Sequence, residues 1–326
     1  MKAILLKEFG GPEMMFYGDT DTPAPKAGQV LIKVAATSVN RPDIMQREGS
    51  YGPPPGDSEI MGLEVAGTVE KLGQGVTDWQ PGQRVMALIG GGGYAEYAVA
   101  HAGHMMPIPE NMSFEQAACV CETYLTAYLN LFLLAGLKDG ETVLLHGGGG
   151  GVNTAAIHLC KQLVPDATIV VTASTGKIQR VEALGAHHVI DYRTQSFAEQ
   201  VKQITSGKGV DVILDHIGAD YLSHNMKSLA VYGRLLAIGV MSGIKAELNL
   251  ALMMVKRQQI IGSVLRPRPV DEKAEIIAAF AAATLDHMAT GSIVPLVSDV
   301  FPLDQVAEAH REMEASTHFG KIVLRV

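Results

Sequence analysis

The spacing of hydrophobic and polar residues changes once along the chain, near residue 113. Before that point, short runs with apolar residues at alternate positions are separated by glycine, proline and other turn residues. Such runs predict strands, and they lie at residues 1–6, 29–36, 62–73, 83–88 and 94–99. Short strands at this close spacing predict a partly open β-barrel.

From Ser113 the pattern becomes helical. Ser113 is a typical N-cap residue, Gln116 completes a capping box, and apolar residues continue through 125–134. Further on, strands alternate with helices, the strands at residues 142–145, 168–173, 188–190, 209–215 and 233–239 and the helices from about 152 and at 178–184, 197–205 and 221–229. This alternation predicts a doubly wound parallel sheet.

The C-terminal part of the chain, from about residue 265, predicts two helices at 271–290 and 303–315 and a last strand at 320–326. We expect that strand to return to the N-terminal domain. The sequence therefore predicts an α/β protein with two domains. Residues 1–122 and 265–326 form the first domain, and residues 123–264 form the second.

A run of five glycines, Gly147 to Gly151, joins the strand at 142–145 to the following helix. Glycines allow a tight turn and let a pyrophosphate approach the amide groups at the start of the helix. We expect the phosphate-binding residues to be Gly148, Gly149, Gly150, Gly151 and Val152. Asn153 stands where this dinucleotide fingerprint has its third glycine, so either the helix is displaced outward or Asn153 has a polar partner.

The end of the next strand, at 168–173, is where such a unit reads the adenosine ribose. A carboxylate there would bind the 2′-hydroxyl of NAD, but the chain continues with Ser174, Thr175, Gly176 and Lys177. A hydroxyl and an ammonium suit a 2′-phosphate instead. We therefore predict NADPH as the cofactor, with Ser174 and Lys177 as phosphate ligands. Lys177 is alternatively a solvated helix residue.

Composition excludes several classes of protein. The 326 residues are 47% hydrophobic and 18% charged with a net charge of −8, and no basic block suggests nucleic acid or an acidic membrane as a partner. Charge interrupts the N-terminal apolar run at Lys7, so we predict no signal peptide, no membrane span and a cytoplasmic protein. Three irregularly spaced cysteines predict neither a disulfide framework nor a zinc knuckle.

Residues 47–56 contain three prolines and three glycines and predict a stiff surface loop. Tyr51 lies within it and has no periodic apolar neighbours. A large aromatic residue in this setting either lines a cleft or pins the loop to the core.

Several motifs occur in an order that resembles the medium-chain dehydrogenase/reductase superfamily. Beside the glycine run, they are residues 39–43, 62–69, 92–97, 184–186, 211–218 and 320–324. The chain resembles the zinc-free quinone oxidoreductase branch and, within it, the p53-inducible group. The resemblance implies a GroES-like barrel as the catalytic domain and a Rossmann nucleotide domain.

The resemblance also implies that no metal is bound. Zinc-dependent members have a cysteine where this chain has Asn40, a histidine where it has Leu63, and a four-cysteine lobe that is missing here. Asn40 and Leu63 cannot supply the ligands of a catalytic zinc. Hydride transfer to a small quinone or another conjugated carbonyl needs mainly orientation and polarisation of the carbonyl group.

By the same resemblance, Asn40 and Tyr51 lie by the nicotinamide and donate hydrogen bonds to an acceptor oxygen. Glu64 is expected in a buried ion pair rather than as a general base. The other residues implied at the cofactor are Thr126, Tyr192, Gly239, Leu265 and Lys321. Members of this family commonly form homodimers through edge strands, here residues 235–243 and 259–265.

The sequence thus predicts an NADPH-dependent quinone reductase that works without zinc. A rival prediction with the same machinery is a reductase of enones, enals or enoyl thioesters. A rival of another class is a non-catalytic protein that binds NADPH for a structural or regulatory purpose.

Overall fold

A computed structural model describes all of residues 1–326. The chain forms two compact units. Unit 1 comprises Met1–Leu125 and Leu265–Val326, and unit 2 comprises Thr126–Val264.

The strands are β1 (Lys2–Leu6), β2 (Met15–Asp19), β3 (Gln29–Val39), β4 (Glu64–Leu72), β5 (Arg84–Leu88), β6 (Tyr97–His101), β7 (Met105–Pro107), β8 (Thr142–His146), β9 (Thr168–Ala173), β10 (His188–Asp191), β11 (Val210–Asp215), β12 (Leu229–Ala237), β13 (Gln259–Gly262), β14 (Val297–Pro302) and β15 (Lys321–Arg325). The α-helices are α1 (Arg41–Arg47), α2 (Phe114–Ala117), α3 (Thr123–Tyr128), α4 (Gly151–Leu163), α5 (Ile178–Leu184), α6 (Phe197–Ile204), α7 (Ala219–Ser228), α8 (Leu250–Lys256), α9 (Val270–Ala289) and α10 (Val306–Ala315). A π-helical segment, Leu129–Leu134, continues α3.

Unit 1 is built on a sheet in which the order β14-β15-β3-β4-β5-β7 is extended by β6, which also pairs with β3. The alternation in β3 has a direct structural consequence: Val30, Ile32 and Val34 are buried in one core cluster, and Lys33 between them is exposed. The last strand, β15, runs antiparallel to β3 with Ile322 opposite Val39. The predicted return of the chain end to the N-terminal domain is confirmed.

Unit 1 also contains strands that the pattern did not predict. β2, β7 and β14 are short or largely exposed, so their residues carry no clear apolar alternation. The strand predicted at 94–99 lies instead at Tyr97–His101. Tyr94 is fully buried, and its backbone N–H donates to Met61 O at 2.9 Å, outside the strand ladder.

Unit 2 is a parallel sheet of six strands in the order β10-β9-β8-β11-β12-β13. The consecutive residues Val143, Leu144 and Leu145 of the central strand β8 are all fully buried, as expected where helices cover both faces of a parallel sheet. From β8 the chain continues outward to β9 and β10 on one side of the sheet, and β11, β12 and β13 follow on the other side. Folds of this kind bind ligands at such a switch point, at the carboxyl ends of the strands. The predicted doubly wound sheet is confirmed.

The hydrophobic pattern did not predict two elements of unit 2, although the family resemblance placed an edge strand at 259–265. The edge strand β13 and helix α8 before it expose most of their side chains, so neither has the periodic burial on which prediction depends. No helix in either unit is long and apolar enough to cross a bilayer.

Candidate functional site

The glycine run of unit 2 connects β8 to α4 in a tight turn. Gly147 has a φ of +79°, a conformation that favours glycine. The N–H groups of Gly147 and Gly148 both donate to Thr172 O, at 3.0 and 2.8 Å. A Cβ atom at Gly148 would stand only 2.4 Å from Cγ1 of Val171. The loop therefore lies directly on β9, and a side chain at Gly148 would push it away.

Helix α4 begins at Gly151, with Gly150 as its N-cap residue and no acidic residue in its first turn. The first N–H groups of a helix have no intrahelical acceptor and carry the positive end of the helix dipole. The predicted residues Gly148 to Val152 thus form an amide-rich turn and the start of α4, and the four glycines among them carry no side chain. Such a turn fits the pyrophosphate of a dinucleotide.

Asn153 has the polar partners that one of the two predicted alternatives required. Its Nδ2 donates to His146 O and, at 3.0 Å, to Gly147 O. The side chain is buried and folds back onto the loop. Asn153 therefore fixes the turn through hydrogen bonds to two backbone carbonyls. The glycine of the fingerprint would have no side chain at this position.

Ser174, Lys177 and Tyr192 follow the neighbouring strands β9 and β10, and Tyr192 N–H donates to Ala173 O at 3.2 Å. The stem of Lys177 lies over the glycine loop, because its Cδ is 2.5 Å from where a Cβ of Gly149 would stand. Partial burial lowers the pKa of Lys177, and the positive charge of Arg180 lowers it further. Two cations near one phosphate-binding turn favour an anionic ligand.

Asp191, at the end of β10, is a charged group that the sequence analysis did not consider. Its carboxylate accepts hydrogen bonds from Thr175 Oγ1 at 2.6 Å and from Arg193 N at 3.0 Å. The hydrogen bond from Thr175 is the main cause of a lowered Asp191 pKa. An ionised carboxylate therefore stands one strand away from Ser174, and its position after a predicted strand was the available signal.

The remaining predicted cofactor residues are divided between the units. In unit 2, Gly239 follows β12, and a Cβ there would be 2.8 Å from His216 O. Thr126 is half-buried, and its carbonyl accepts from Asn130 Nδ2 at 2.8 Å. Leu265 and Lys321 belong to unit 1, where both are buried.

In unit 1, a buried polar network is centred on Glu64 at the start of β4. Lys321 Nζ lies 3.0 Å from Glu64 Oε1, and both side chains are almost fully buried. Ser38 Oγ donates to the same carboxylate at 2.5 Å, and the backbone N–H of Glu122 donates at 2.8 Å. The predicted buried ion pair of Glu64 is confirmed, and Lys321 is its partner.

Asn40 is the N-cap residue of α1 and part of this network. Its backbone N–H donates to Asp43 Oδ2 at 2.8 Å, its Nδ2 donates to Glu64 Oε1 at 3.0 Å, and its Oδ1 accepts from Lys321 Nζ at 2.5 Å. The Asn40 amide and the Lys321 ammonium are thus engaged by protein groups. Polarisation of an acceptor by Asn40 and cofactor binding by Lys321 stay predictions.

Helix α1 is anchored by a second set of buried polar groups. Asp43 Oδ1 accepts from Gly62 N at 3.1 Å, and the ring of His310 bridges Tyr94 Oη at 3.1 Å and Arg47 at 3.3 Å. Burial raises the pKa of Asp43 to about 6 and lowers that of His310 to about 3. These contacts fix the helix start that places Asn40.

Arg266 determines the position of the Tyr51 loop. Its guanidinium donates to Tyr51 O at 3.2 Å, to Gln46 Oε1 at 2.8 Å and to Gly90 O at 2.6 Å. The guanidinium carbon is also 5.2 Å from the centroid of the Tyr51 ring. Arg266 itself is 5% exposed. Nothing in the local sequence pattern distinguished this arginine.

Tyr51 is therefore pinned through its backbone and ring, while its hydroxyl makes no hydrogen bond to the protein. Partial burial is the main cause of a raised Tyr51 pKa, so the phenol stays protonated near neutral pH and can donate a hydrogen bond. The two interpretations of this residue are compatible, because the part that holds the loop is not the part that could meet a ligand.

Glu122 is a third residue that the sequence analysis missed, after Asp191 and Arg266. Its backbone N–H is bonded to Glu64, but its half-buried carboxyl group has no hydrogen-bond partner in the protein. Burial, with the charge of Glu64 acting in the same direction, raises the pKa of Glu122 to about 8. The only available signal was a single charged residue in the otherwise uncharged stretch 117–129.

The chain contains no group of three or more histidine, cysteine, aspartate or glutamate side chains that could hold a metal ion. Asn40 and Leu63, the positions at which the resemblance was used to predict no zinc, are both buried in unit 1.

Two family models match the chain. The alcohol dehydrogenase GroES-like domain matches residues 26–110, and the zinc-binding dehydrogenase family matches residues 184–324. A quinone oxidoreductase from Lama guanicoe is 35% identical over 328 residues, which cover 99% of this chain and 97% of the relative.

Solved structures agree with these matches. A mycobacterial protein in complex with NADPH is 30% identical, covers 100% of both chains and superposes with a TM-score of 0.90. The CurK enoyl reductase is 27% identical, with a TM-score of 0.87 over 99% of this chain and 98% of its own.

Proposed function

Because this chain belongs to the medium-chain dehydrogenase/reductase superfamily, we propose that it is an NADPH-dependent quinone reductase that works without zinc. Membership makes the chain an oxidoreductase that uses a nicotinamide cofactor. The quinone, the preference for NADPH and the independence from zinc are the parts that need testing.

The Tyr51 phenol carries the proposal for the acceptor. The nicotinamide, when bound, supplies a hydride, and the acceptor oxygen gains negative charge as that hydride arrives. Arg266 fixes the backbone and the ring of Tyr51, and the protonated phenol has no protein partner. The phenol can therefore donate a hydrogen bond to this oxygen. A quinone is already electrophilic, so one or two fixed donors suffice without a Lewis acid.

Lys177 and Ser174 carry the proposal for NADPH. The ammonium of Lys177 lies by the glycine turn, and Arg180 adds a second positive charge nearby. Asp191 is the group that opposes this proposal, but its carboxylate is already engaged by Thr175 and by backbone. The 2′-phosphate would then be bound by Lys177, Ser174 and the exposed Tyr192.

Cofactor preference is tested by the ratio of kcat/KM for NADPH to kcat/KM for NADH. We expect NADPH to be preferred, and Lys177→Met to raise KM for NADPH roughly tenfold or more, as for the loss of a charged hydrogen bond, without changing KM for NADH. Lys202→Met, at an exposed position on α6, is the matched control. A preference for NADH in the natural chain contradicts the assignment.

The acceptor is tested by NADPH oxidation with ortho-quinones, para-quinones, enones and crotonyl thioester, each with and without a chelator. We expect quinones to be reduced fastest, with no effect of the chelator. Tyr51→Phe should lower kcat/KM for quinones, whereas Tyr17→Phe, on the exposed strand β2 of the same unit, should not. An unchanged kcat/KM in Tyr51→Phe removes the polarising role.

The second candidate is reduction of a conjugated thioester or enone, which the likeness to the CurK enoyl reductase favours. Preferential turnover of crotonyl thioester would assign the chain to that chemistry. Tight NADPH binding with no acceptor reduced would instead indicate a non-catalytic nucleotide-binding protein.

We further propose a homodimer formed through the edge of the unit 2 sheet. β13 is an edge strand, and apolar side chains are exposed on β12, in the loop after it, on α8 and on β13, namely Tyr232, Met241, Ile244, Met254, Val255 and Ile260. An open strand edge beside apolar surface is a typical site of association. Sedimentation velocity should give a dimer, and Ile260→Lys should give a monomer.

A further inference from the structure

Two glutamates of unit 1 have opposite environments although they are linked through one hydrogen bond. Glu64 accepts hydrogen bonds from Ser38, Asn40 and the backbone of Glu122, and it pairs with Lys321. The Glu122 side chain accepts none of these and is half-buried. Glu64 is fully used by the fold, whereas the carboxyl group of Glu122 has no structural partner.

The surroundings of Glu122 also connect it to the acceptor site. Glu64 joins Glu122 to Asn40, because it accepts from the backbone N–H of Glu122 at 2.8 Å and from Asn40 Nδ2 at 3.0 Å. In its ionised form Glu122 also contributes to the raised pKa of Tyr51 and opposes the lowering of the pKa of Arg266 by burial. Glu122 therefore stands in the same polar region as the Tyr51 loop and the arginine that holds it.

We propose that the carboxyl group of Glu122 is the proton donor that completes reduction of an acceptor bound beside Tyr51. This inference rests on the proposed function. A quinone that accepts a hydride has gained two electrons and one proton, and it needs one more proton to become a hydroquinone. The structure provides one partly accessible acid without another task in this region.

Proton transfer from Glu122 completes the reduction that hydride transfer begins. The hydride reaches the acceptor with its electron pair, and negative charge collects on the acceptor oxygen. The O–H bond of Glu122 then breaks, its electrons stay on the carboxylate, and the proton forms the new O–H bond of the product. Water returns a proton to Glu122 before the next turnover.

The charged groups around Glu122 determine the pH at which it can act. Burial and Glu64 favour the protonated form, with Asp43 in the same direction, and Lys321 and Arg266 oppose it. Because the resulting pKa is about 8, the acid is present at neutral pH and is lost above pH 8. The rate constant kcat should therefore fall as pH rises through that value.

Glu122→Gln tests the proposal, because it keeps the size of the side chain and removes the proton. We expect kcat for quinones to fall at least tenfold at pH 7, within the range of general acid catalysis of roughly 10²–10⁴. The decline of kcat above pH 8 and the solvent isotope effect on kcat should both disappear. Glu110→Gln, at an exposed position in the same unit, should leave all three unchanged.

A second variant covers the case in which Glu122→Gln folds poorly. Glu122→Asp keeps an acid, so it should retain a decline of kcat at high pH even if the shorter side chain lowers kcat itself. The proposed proton donor is overturned if Glu122→Gln has the kcat and the pH profile of the wild type. It is also overturned if Glu122→Asp loses the decline of kcat at high pH. Absence of wild-type turnover with every acceptor overturns the proposed function itself, and the two failures are thus distinct.

An infrared measurement on the protein without cofactor gives an independent result. Glu312, whose pKa is raised to about 7, also titrates between pH 7 and pH 9.5, so the spectra are compared in the Glu312→Gln background. There the difference spectrum should contain the loss of a protonated carboxyl band, which should be missing when Glu122→Gln is added but present when Glu110→Gln is added. If the Glu312→Gln spectrum contains no such band, Glu122 is ionised at neutral pH and cannot donate the proton.

Discussion

The ion pair between Lys321 and Glu64 is expected to contribute strongly to the stability of unit 1. Lys321→Met keeps an unbranched apolar stem and removes the ammonium. Glu64 would then be buried without its counter-charge, and Asn40 Oδ1 and Val39 O would each lose a donor at 2.5 and 3.1 Å. The substitution therefore leaves one charge and two acceptors unsatisfied.

The expected loss follows from this burial. Removing one partner of a buried ion pair costs about 3–5 kcal/mol, because the remaining charge is uncompensated. Both side chains here are no more than 4% exposed, so the variant belongs in that range. The double variant Glu64→Gln with Lys321→Met removes both charges of this pair, and we expect it to be more stable than Lys321→Met alone.

Equilibrium urea unfolding followed by tryptophan fluorescence is a suitable assay. Trp79 is the only tryptophan, lies in unit 1, and donates from Nε1 to Ala102 O at 3.0 Å. Its emission therefore reports on the unit that contains the ion pair. Lys71→Met, at an exposed position on β4, is the control and should change the free energy of unfolding by at most about 0.5 kcal/mol.

Two results would refute this reasoning. A loss below about 1 kcal/mol in Lys321→Met would mean that the ion pair is no better than an exposed one. A double variant as unstable as the sum of the two single variants would mean that the two charges are not energetically coupled.

Three further predictions concern other contacts. Arg266→Lys cannot reproduce the planar donor set that holds Tyr51, so kcat/KM for the acceptor should fall roughly tenfold while the Kd of NADPH measured by titration stays constant; an equal fall in both would contradict a local role. Glu122→Gln removes a group whose pKa is raised from 4.5 to about 8 in the folded protein, and this group makes the wild type lose stability as pH rises through that range. The variant should therefore gain stability relative to wild type between pH 5 and pH 8.5 in urea unfolding. A constant difference in the free energy of unfolding would argue against the raised pKa. Arg234 donates twice to Glu141 at 2.8 Å, so Arg234→Lys should destabilise unit 2 by about 1 kcal/mol, seen as a lower Tm in circular dichroism, and an unchanged Tm would show that the paired geometry contributes nothing.

Local patterns were sufficient wherever structure depends on neighbouring residues. The strand at 168–173 and the helix at 178–184 have the predicted bounds, because burial of both strand faces leaves a continuous apolar run and burial of one helix face leaves a periodic signal. The glycine turn was predictable because each position requires glycine for a local reason. Gly147 has a positive φ, and Gly148 lies too close to Val171 for a Cβ atom.

Patterns failed where an element has little burial of its own. Strands β13 and β14 and helix α8 lie at exposed positions, so their polar and apolar residues are not sorted by any face. Strand β13 depends on pairing with β12, and strand β14 depends on pairing with β15. Such pairing is a property of the folded sheet.

By itself, the sequence determined the two-domain α/β plan, the dinucleotide turn and the buried pairing of Glu64. Only the tertiary structure decided which residues come together at the proposed acceptor site, because Arg266 and Tyr51 are 215 positions apart and Lys321 and Asn40 are 281 apart. Contacts over such distances depend on how sheets and loops pack and leave no periodic trace along the chain. The raised pKa of Glu122 has the same origin, since desolvation is a property of the folded environment and not of a residue type.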